Sequence, residues 1–202
     1  MLAASLPDPA IVLRARGTDL DDGLVRLRAA LAGRPLVARD GEELVAVLAD
    51  GDAEAAASWA AAMGPGWSVG LSNAVPASAL VEGSRRAERA RVLGDALRAP
   101  GAAPHAYADV EIYDALIGDL DGARAARVRE RTLGPLTAEL AATLEAFLES
   151  GSSVTATARR LFLHRNTVHY RLRRIEALTG LELGRMEHRM LFELGLLARR
   201  LG

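Results

Sequence analysis

The run Arg165-Asn166-Thr167-Val168-His169-Tyr170-Arg171-Leu172-Arg173-Arg174 gathers hydrogen-bonding and positively charged side chains into one short stretch. Arginine and asparagine can read the edges of bases, while threonine, tyrosine and arginine can hold phosphate oxygens. Arg165, Asn166 and His169 are the candidates for base contacts. Thr155, Thr167, Tyr170, Arg171, Arg173 and Arg174 are the candidates for phosphate contacts. Arg165 falls in the first turn of a helix, where a positive group opposes the helix dipole. A merely solvated face would rather place Asp or Glu there. The competing reading is an arginine-rich face that serves only solubility.

Two helices must position these groups. Ala158 and Leu161 lie three apart and share a face of the first. Val168, Leu172 and Ile175 are four and then three apart and share a face of the second. Only Phe162-Leu163-His164 separates them, with no glycine or proline. So short a break makes the helices cross steeply, the helix-turn-helix shape, although its frequent turn glycine is missing. Upstream, Thr137 caps a helix with Glu139 in its first turn and a core face of Leu140, Leu144, Phe147 and Leu148. Ser150 to Ser153 breaks it. Thr155 is expected to cap the next helix. Its hydroxyl alternatively reaches a phosphate, since helix N-termini favour anions. The predicted core also takes Val154, Leu161 and Leu163, and the small Ala158 lets two helices cross closely. Thr179-Gly180 ends the second helix, with Gly180 left-handed. A last helix spans 185–201, with an apolar stripe of Met186, Met190, Leu191, Leu194, Leu197 and Leu201. The two methionines read as core packing, and Leu194 to Leu201 as a surface for a partner subunit. His164 and His169 have no second ligand at metal spacing, so zinc is not expected.

The run from Leu161 to Glu176, followed by Leu178-Thr179-Gly180, closely resembles the C-terminal helix-turn-helix of the PucR/CdaR family of bacterial transcription regulators. His164-Arg165-Asn166-Thr167-Val168, with Arg171-Leu172 after two further residues, is far more specific than a generic helix-turn-helix pattern. The resemblance is strong over residues 136 to 201. It implies binding to double-stranded DNA.

The chain has 202 residues, half of them apolar and none of them cysteine. That suffices for one large or two small globular domains, without disulfides, thiolate metal sites or cysteine nucleophiles. The absence of cysteine fits the cytoplasm. The start lacks a basic, apolar signal pattern, and no apolar stretch reaches the roughly 18 residues of a membrane span. From Ser150 to Gly202, ten arginines stand against four carboxylates, a surplus of six positive charges. With a net charge of −1 overall, the rest carries −7. A positive end attracts phosphate, and an acidic body limits unspecific binding.

Ahead of this end the pattern changes. Ile11 to Ala15 reads as a strand. Asp19 caps a helix from Leu20 to Ala32 along Leu20, Leu24, Leu27 and Leu31, stopped by Gly33. Leu36 to Ala38 and Leu44 to Leu48 read as strands joined through Asp40-Gly41, a hairpin signal. A helix over 53–63, a strand over 67–71 and a helix from Pro76 or Ala77 to Leu97, through Leu80, Val81, Ala87, Ala90 and Leu93, follow. His105 to Val110 adds an edge strand. Glu111 to Leu120 reads as helical on Ile112 and Leu116, and residues 121 to 136 include a short helix. Gly134-Pro135 is the expected joint between domains.

This order, with Asp40-Gly41-Glu42-Glu43-Leu44-Val45 and Trp67-Ser68-Val69-Gly70, resembles the degenerate nucleotide-cyclase (GGDEF-like) domain of PucR/CdaR-type regulators. The paired glycines of the active enzymes are absent, so catalysis is not expected. Asp40, Glu42 and Glu43 read as solvated rather than metal-binding.

The expected fold is therefore α+β. A degenerate cyclase-like mixed-sheet domain (10–110) precedes a helical linker (111–135) and an all-α helix-turn-helix domain (136–202). The expected protein is a non-enzymatic, cytoplasmic, sequence-specific DNA-binding regulator with no cofactor and no metal, working as a homodimer on half-sites about 34 Å or a multiple apart. In the family a sensory domain for a small-molecule effector often precedes the cyclase-like domain, so the resemblance implies either a fragment of a longer regulator or a short member without that sensor. The alternative is a protein-interaction module whose helix-turn-helix no longer reads DNA. The arginine-rich polar face argues against it.

Overall fold

The computed structural model describes residues 6–31, 35–97, 104–117 and 122–201. Gly33 and residues 98–103 lie outside the described residues, as does Leu120 at the end of the helix read over Glu111 to Leu120. The chain divides into two compact units, Met1–Gly118 and Asp119–Gly202. Among the described residues no helix is long and apolar enough to cross a membrane.

The first unit is α+β. β1 (Ala10–Arg16) leads into α1 (Leu20–Ala30), then β2 (Leu36–Asp40), β3 (Glu43–Ala49), α2 (Ala53–Met63), β4 (Ser68–Leu71), α3 (Leu80–Leu97), β5 (His105–Ala106) and α4 (Tyr107–Ile117). The sheet order is β2-β3-β1-β4-β5. Neighbours are antiparallel except β4 and β5, which run parallel. β1 to β4, with α1 and α2 between them, follow the ferredoxin-like β-α-β-β-α-β order. Asp19 caps α1 by accepting from Asp22 N at 3.0 Å. The β2–β3 hairpin closes through Gly41-Glu42, with Gly41 at φ 60°, the positive value the first loop residue of such a turn needs.

β1 sits mid-sheet and is buried on both faces, because alternate residues point to opposite sides. Ile11, Leu13 and Ala15 join one core with Leu20, Leu27, Leu48, Trp59 and Trp67. The two tryptophans meet edge to face, centroids 5.5 Å apart. On the other face α3 packs through small residues. A Cβ on Gly70 of β4 would overlap the Ala87 carbonyl of α3, and one on Gly94 would overlap the His105 ring. The buried side of α3 thus includes Gly83, Ala87, Ala90, Leu93 and Gly94, and Val81, expected inside, is exposed.

Two further expectations change here. The edge strand read over 105–110 is only His105–Ala106, and helix begins at Tyr107. That helix buries Tyr107, Val110 and Asp114, while Ile112 and Leu116, expected in the core, are exposed. Asp114 accepts from the Tyr107 hydroxyl at 2.8 Å and from Arg89 Nε at 2.5 Å, so a carboxylate, not the apolar pair, anchors α4.

The hairpin carboxylates are occupied by arginines. Glu43 pairs with Arg14 and Arg91, Glu42 with Arg16, and Asp40 lies 3.8 Å from Arg14. Among the described residues no His, Asp and Glu cluster could hold a metal ion.

The second unit is all helical: α5 (Gly122–Leu133), α6 (Ala138–Glu149), α7 (Val154–Arg160), α8 (Arg165–Thr179) and α9 (Met186–Leu201). The stretch read as a linker, 111–135, is thus divided. α4 packs on α3 in the first unit, and α5 lies along α9 in the second.

Candidate nucleic-acid interface

Local chemistry fixes each end of the helix-turn-helix. Thr137 caps α6, its Oγ1 accepting from Leu140 N at 3.3 Å. The next cap is Ser153, not Thr155: Ser153 Oγ accepts from Ala156 N at 3.3 Å. Thr155 therefore stands one residue inside α7, exposed, with its hydroxyl unused. The backbone bends at Gly151 and Ser152, both at positive φ, so the helix starts two residues earlier than the threonine reading requires.

α7 ends in a Schellman turn. Leu163 N donates to Ala158 O at 2.9 Å and Phe162 N to Arg159 O at 3.3 Å. Phe162 takes the left-handed position of that turn, at φ 55°. His164 then caps α8, its Nδ1 accepting from Asn166 N at 3.2 Å. Gly180 closes α8 in the left-handed conformation, at φ 69°. The loop beyond is fastened by Leu183 N to Glu176 Oε1 at 2.7 Å and Arg189 Nη1 to Leu183 O at 2.7 Å.

Val168, Leu172 and Ile175 are buried, and at 100° per residue they occupy one side of α8. Their core includes Leu140, Leu144, Phe147 and Ala158. Val154 and Leu163 are partly buried against it. Phe192 and Leu196 of α9 and Leu181 and Leu183 of the loop complete it. Met186 and Met190, expected inside, are exposed, because α9 turns Phe192 and Leu196 inward instead.

Opposite the buried side, Asn166, Tyr170 and Arg173 share the outward face at spacings of four and three. His169 and Arg174 are exposed beside them, Thr167 is half-buried, and Arg165 is exposed at the helix start. Arg171 alone among the expected DNA-contacting arginines turns back. Its Nη1 donates to Thr143 Oγ1 at 3.2 Å, and its Nη2 bonds Glu139. Its guanidinium braces α8 on α6 and is taken from the outward face.

Arginine pairing separates the two units. Every described arginine of the first unit has a hydrogen-bond or ion-pair partner, from Arg14 with Glu43 to Arg91 with Glu88. Among the described residues, those whose guanidinium makes no such contact are Arg127, Arg129 and Arg131 on α5, Arg159 on α7, and Arg165, Arg173 and Arg174 on α8. All belong to the second unit. The four free guanidinium groups on α7 and α8 leave positive charge there uncompensated by the chain itself, as a phosphate-binding face requires.

The sequence profile of the PucR C-terminal helix-turn-helix domain matches residues 140–198. The second unit carries a PucR-type helix-turn-helix domain. The chain is 36% identical over 117 residues to the carbohydrate diacid regulator of Escherichia coli (strain K12), covering 55% of this chain and 30% of that protein. It is 44% identical over 59 residues to the purine catabolism regulatory protein of Bacillus subtilis (strain 168), 29% of this chain and 11% of that one. The matched region thus spans under a third of either regulator. An uncharacterized protein in the pkwA 5′ region of Thermomonospora curvata is 36% identical over 131 residues, covering 62% of this chain and 69% of that protein. The chain and this protein belong to one family. In the PucR-type domain, the profile takes in α7, α8 and the turn between them, where the free arginines of the helix-turn-helix stand.

Proposed function

We propose that this protein is a sequence-specific, DNA-binding transcription regulator of the PucR/CdaR type, acting in the cytoplasm and without catalysis. α8 enters the major groove of double-stranded DNA. Arg165, Asn166 and His169 read base edges, with Tyr170 facing the groove between Asn166 and Arg173. Thr155, Thr167, Arg173 and Arg174 hold phosphates. The observation that carries this reading is the set of unpaired arginines on α7 and α8, beside a first unit whose described arginines are all paired. The regulatory names of the Escherichia coli and Bacillus subtilis relatives support it. A single short helix reads too few base pairs for a genomic site, so a homodimer on repeated half-sites follows. The first unit, with its ferredoxin-like strand order and arginine-occupied hairpin carboxylates, serves as a degenerate cyclase-like body and not as an enzyme.

Selection of bound duplexes from a random pool by the full chain, at two salt concentrations, tests this. The expected result is a shared motif with related half-sites, and an affinity that falls steeply with salt. Arg165→Ala with Asn166→Ala should abolish the base preference. Sequence-blind binding, or an unchanged preference in that variant, rejects the assignment.

A further inference from the structure

Phe162 has no role in holding the fold. Its side chain is 96% exposed, the most exposed of the large apolar side chains among the described residues. It occupies the left-handed position of the turn after α7, at φ 55°, where glycine is favoured and a bulky side chain is strained. The apolar closure of that turn comes from its neighbour: Leu163 packs against the core and donates to Ala158 O. The turn's hydrogen bonds are made by backbone atoms, which glycine would supply equally. The sequence therefore keeps an aromatic ring in solvent at a strained position where glycine would serve the fold better.

Its surroundings indicate what the ring meets. Arg159 before it and Arg165 after it are exposed and unpaired, and His164 and Asn166 at the start of α8 are exposed too. In a helix-turn-helix the N-terminal end of the second helix goes deepest toward the bases, so the turn leading into it lies at the groove edge. An aromatic ring there can pack on the apolar parts of DNA, the thymine methyl or the deoxyribose.

Resting on the DNA-binding reading above, we infer that Phe162 is an apolar DNA contact, seating the turn between α7 and α8 on the groove edge. A protein partner would not require the flanking free arginines, which match phosphate on either side of the ring.

The test uses the full chain and the duplexes that the wild-type protein selects from a random pool. Phe162→Gly relieves the left-handed strain and removes the ring. Its melting temperature should be unchanged or raised by up to roughly 4–8 °C, while affinity falls about tenfold. Phe162→Leu, which keeps an apolar side chain and the strain, should retain more affinity than the glycine variant. Replacing thymine by uracil in the duplex separates the two sources. Loss of wild-type affinity to the level of the variant assigns the methyl, and no loss assigns the sugar. Full affinity in Phe162→Gly overturns the inference. So does a joint fall of melting temperature and affinity, which would make Phe162 structural, or a change of oligomeric state, which would make it a protein contact. If the wild-type chain selects no duplex, the DNA-binding reading itself fails, a result distinct from these.

Discussion

Arg171 Nη1 reaches across from α8 to Thr143 Oγ1 of α6 at 3.2 Å, while Thr143 Oγ1 itself donates to Glu139 O at 2.8 Å. A residue that the sequence offers as a phosphate ligand is thereby spent on holding the recognition helix to its neighbour. Arg171→Ala should lower stability by about 1 kcal/mol, since Glu139 is exposed and adds little beyond the hydrogen bond to buried Thr143. Arg173→Ala should leave stability within about 0.5 kcal/mol but weaken DNA binding and reduce its salt slope by about one. Urea denaturation and affinity measured over a salt series separate the two. A large salt-slope change with no stability change for Arg171→Ala would contradict the brace.

The cap of α7 makes an equally sharp comparison. Ser153→Ala removes the side-chain acceptor for Ala156 N and should destabilise the helix-turn-helix unit by about 1 kcal/mol. Thr155→Ala should change stability by less than about 0.5 kcal/mol, because its hydroxyl makes no bond in the fold. Thermal unfolding of both variants decides which residue caps.

In the first unit, Gly70→Ala places a Cβ on the backbone of α3, against the Ala87 carbonyl. Backbone cannot rotate away as a side chain can, so the sheet and helix must separate. The expected loss is about 3 kcal/mol, at the upper end of typical overpacking effects. Denaturation followed by tryptophan fluorescence reports this unit, since Trp59 and Trp67 are the chain's only tryptophans and both lie within it.

Acid should loosen the same unit through Asp114. Burial pushes its carboxyl pKa up. Hydrogen bonds from Arg89 and Tyr107, with the charges of Arg89 and Arg85, outweigh that and hold it below the ordinary value. A depressed folded value means stability that is present above the unfolded pKa and lost as pH falls through the folded one. The unfolding midpoint should therefore drop below about pH 4, the ordinary aspartate value. Asp114→Asn should be less stable at neutral pH and lose this part of the acid dependence. An acid dependence equal to that of the wild type would show that other groups carry it.

The sequence alone determined the helix-turn-helix and most of the elements before it. The spacing of Val168, Leu172 and Ile175 fixed the buried side of α8, because a helix returns to one face every three or four residues. Thr137, Asp19, Gly41 and Gly180 acted as predicted, because caps and turns depend on neighbours a few residues away. The tertiary structure decided what depends on distant partners. Met186, Ile112, Leu116 and Val81 are as apolar as true core residues, and only the packing of α9, α4 and α3 shows that other faces are covered. Asp114 reads as a surface carboxylate until Arg89 comes to it from α3. Gly83 and Gly94 carry no hydrophobic signal, yet they let α3 approach the sheet. Arg171 and Arg173 are the same residue type two positions apart. A step of two turns the helix by about 200°, and that rotation sends one to Thr143 and the other to the outward face.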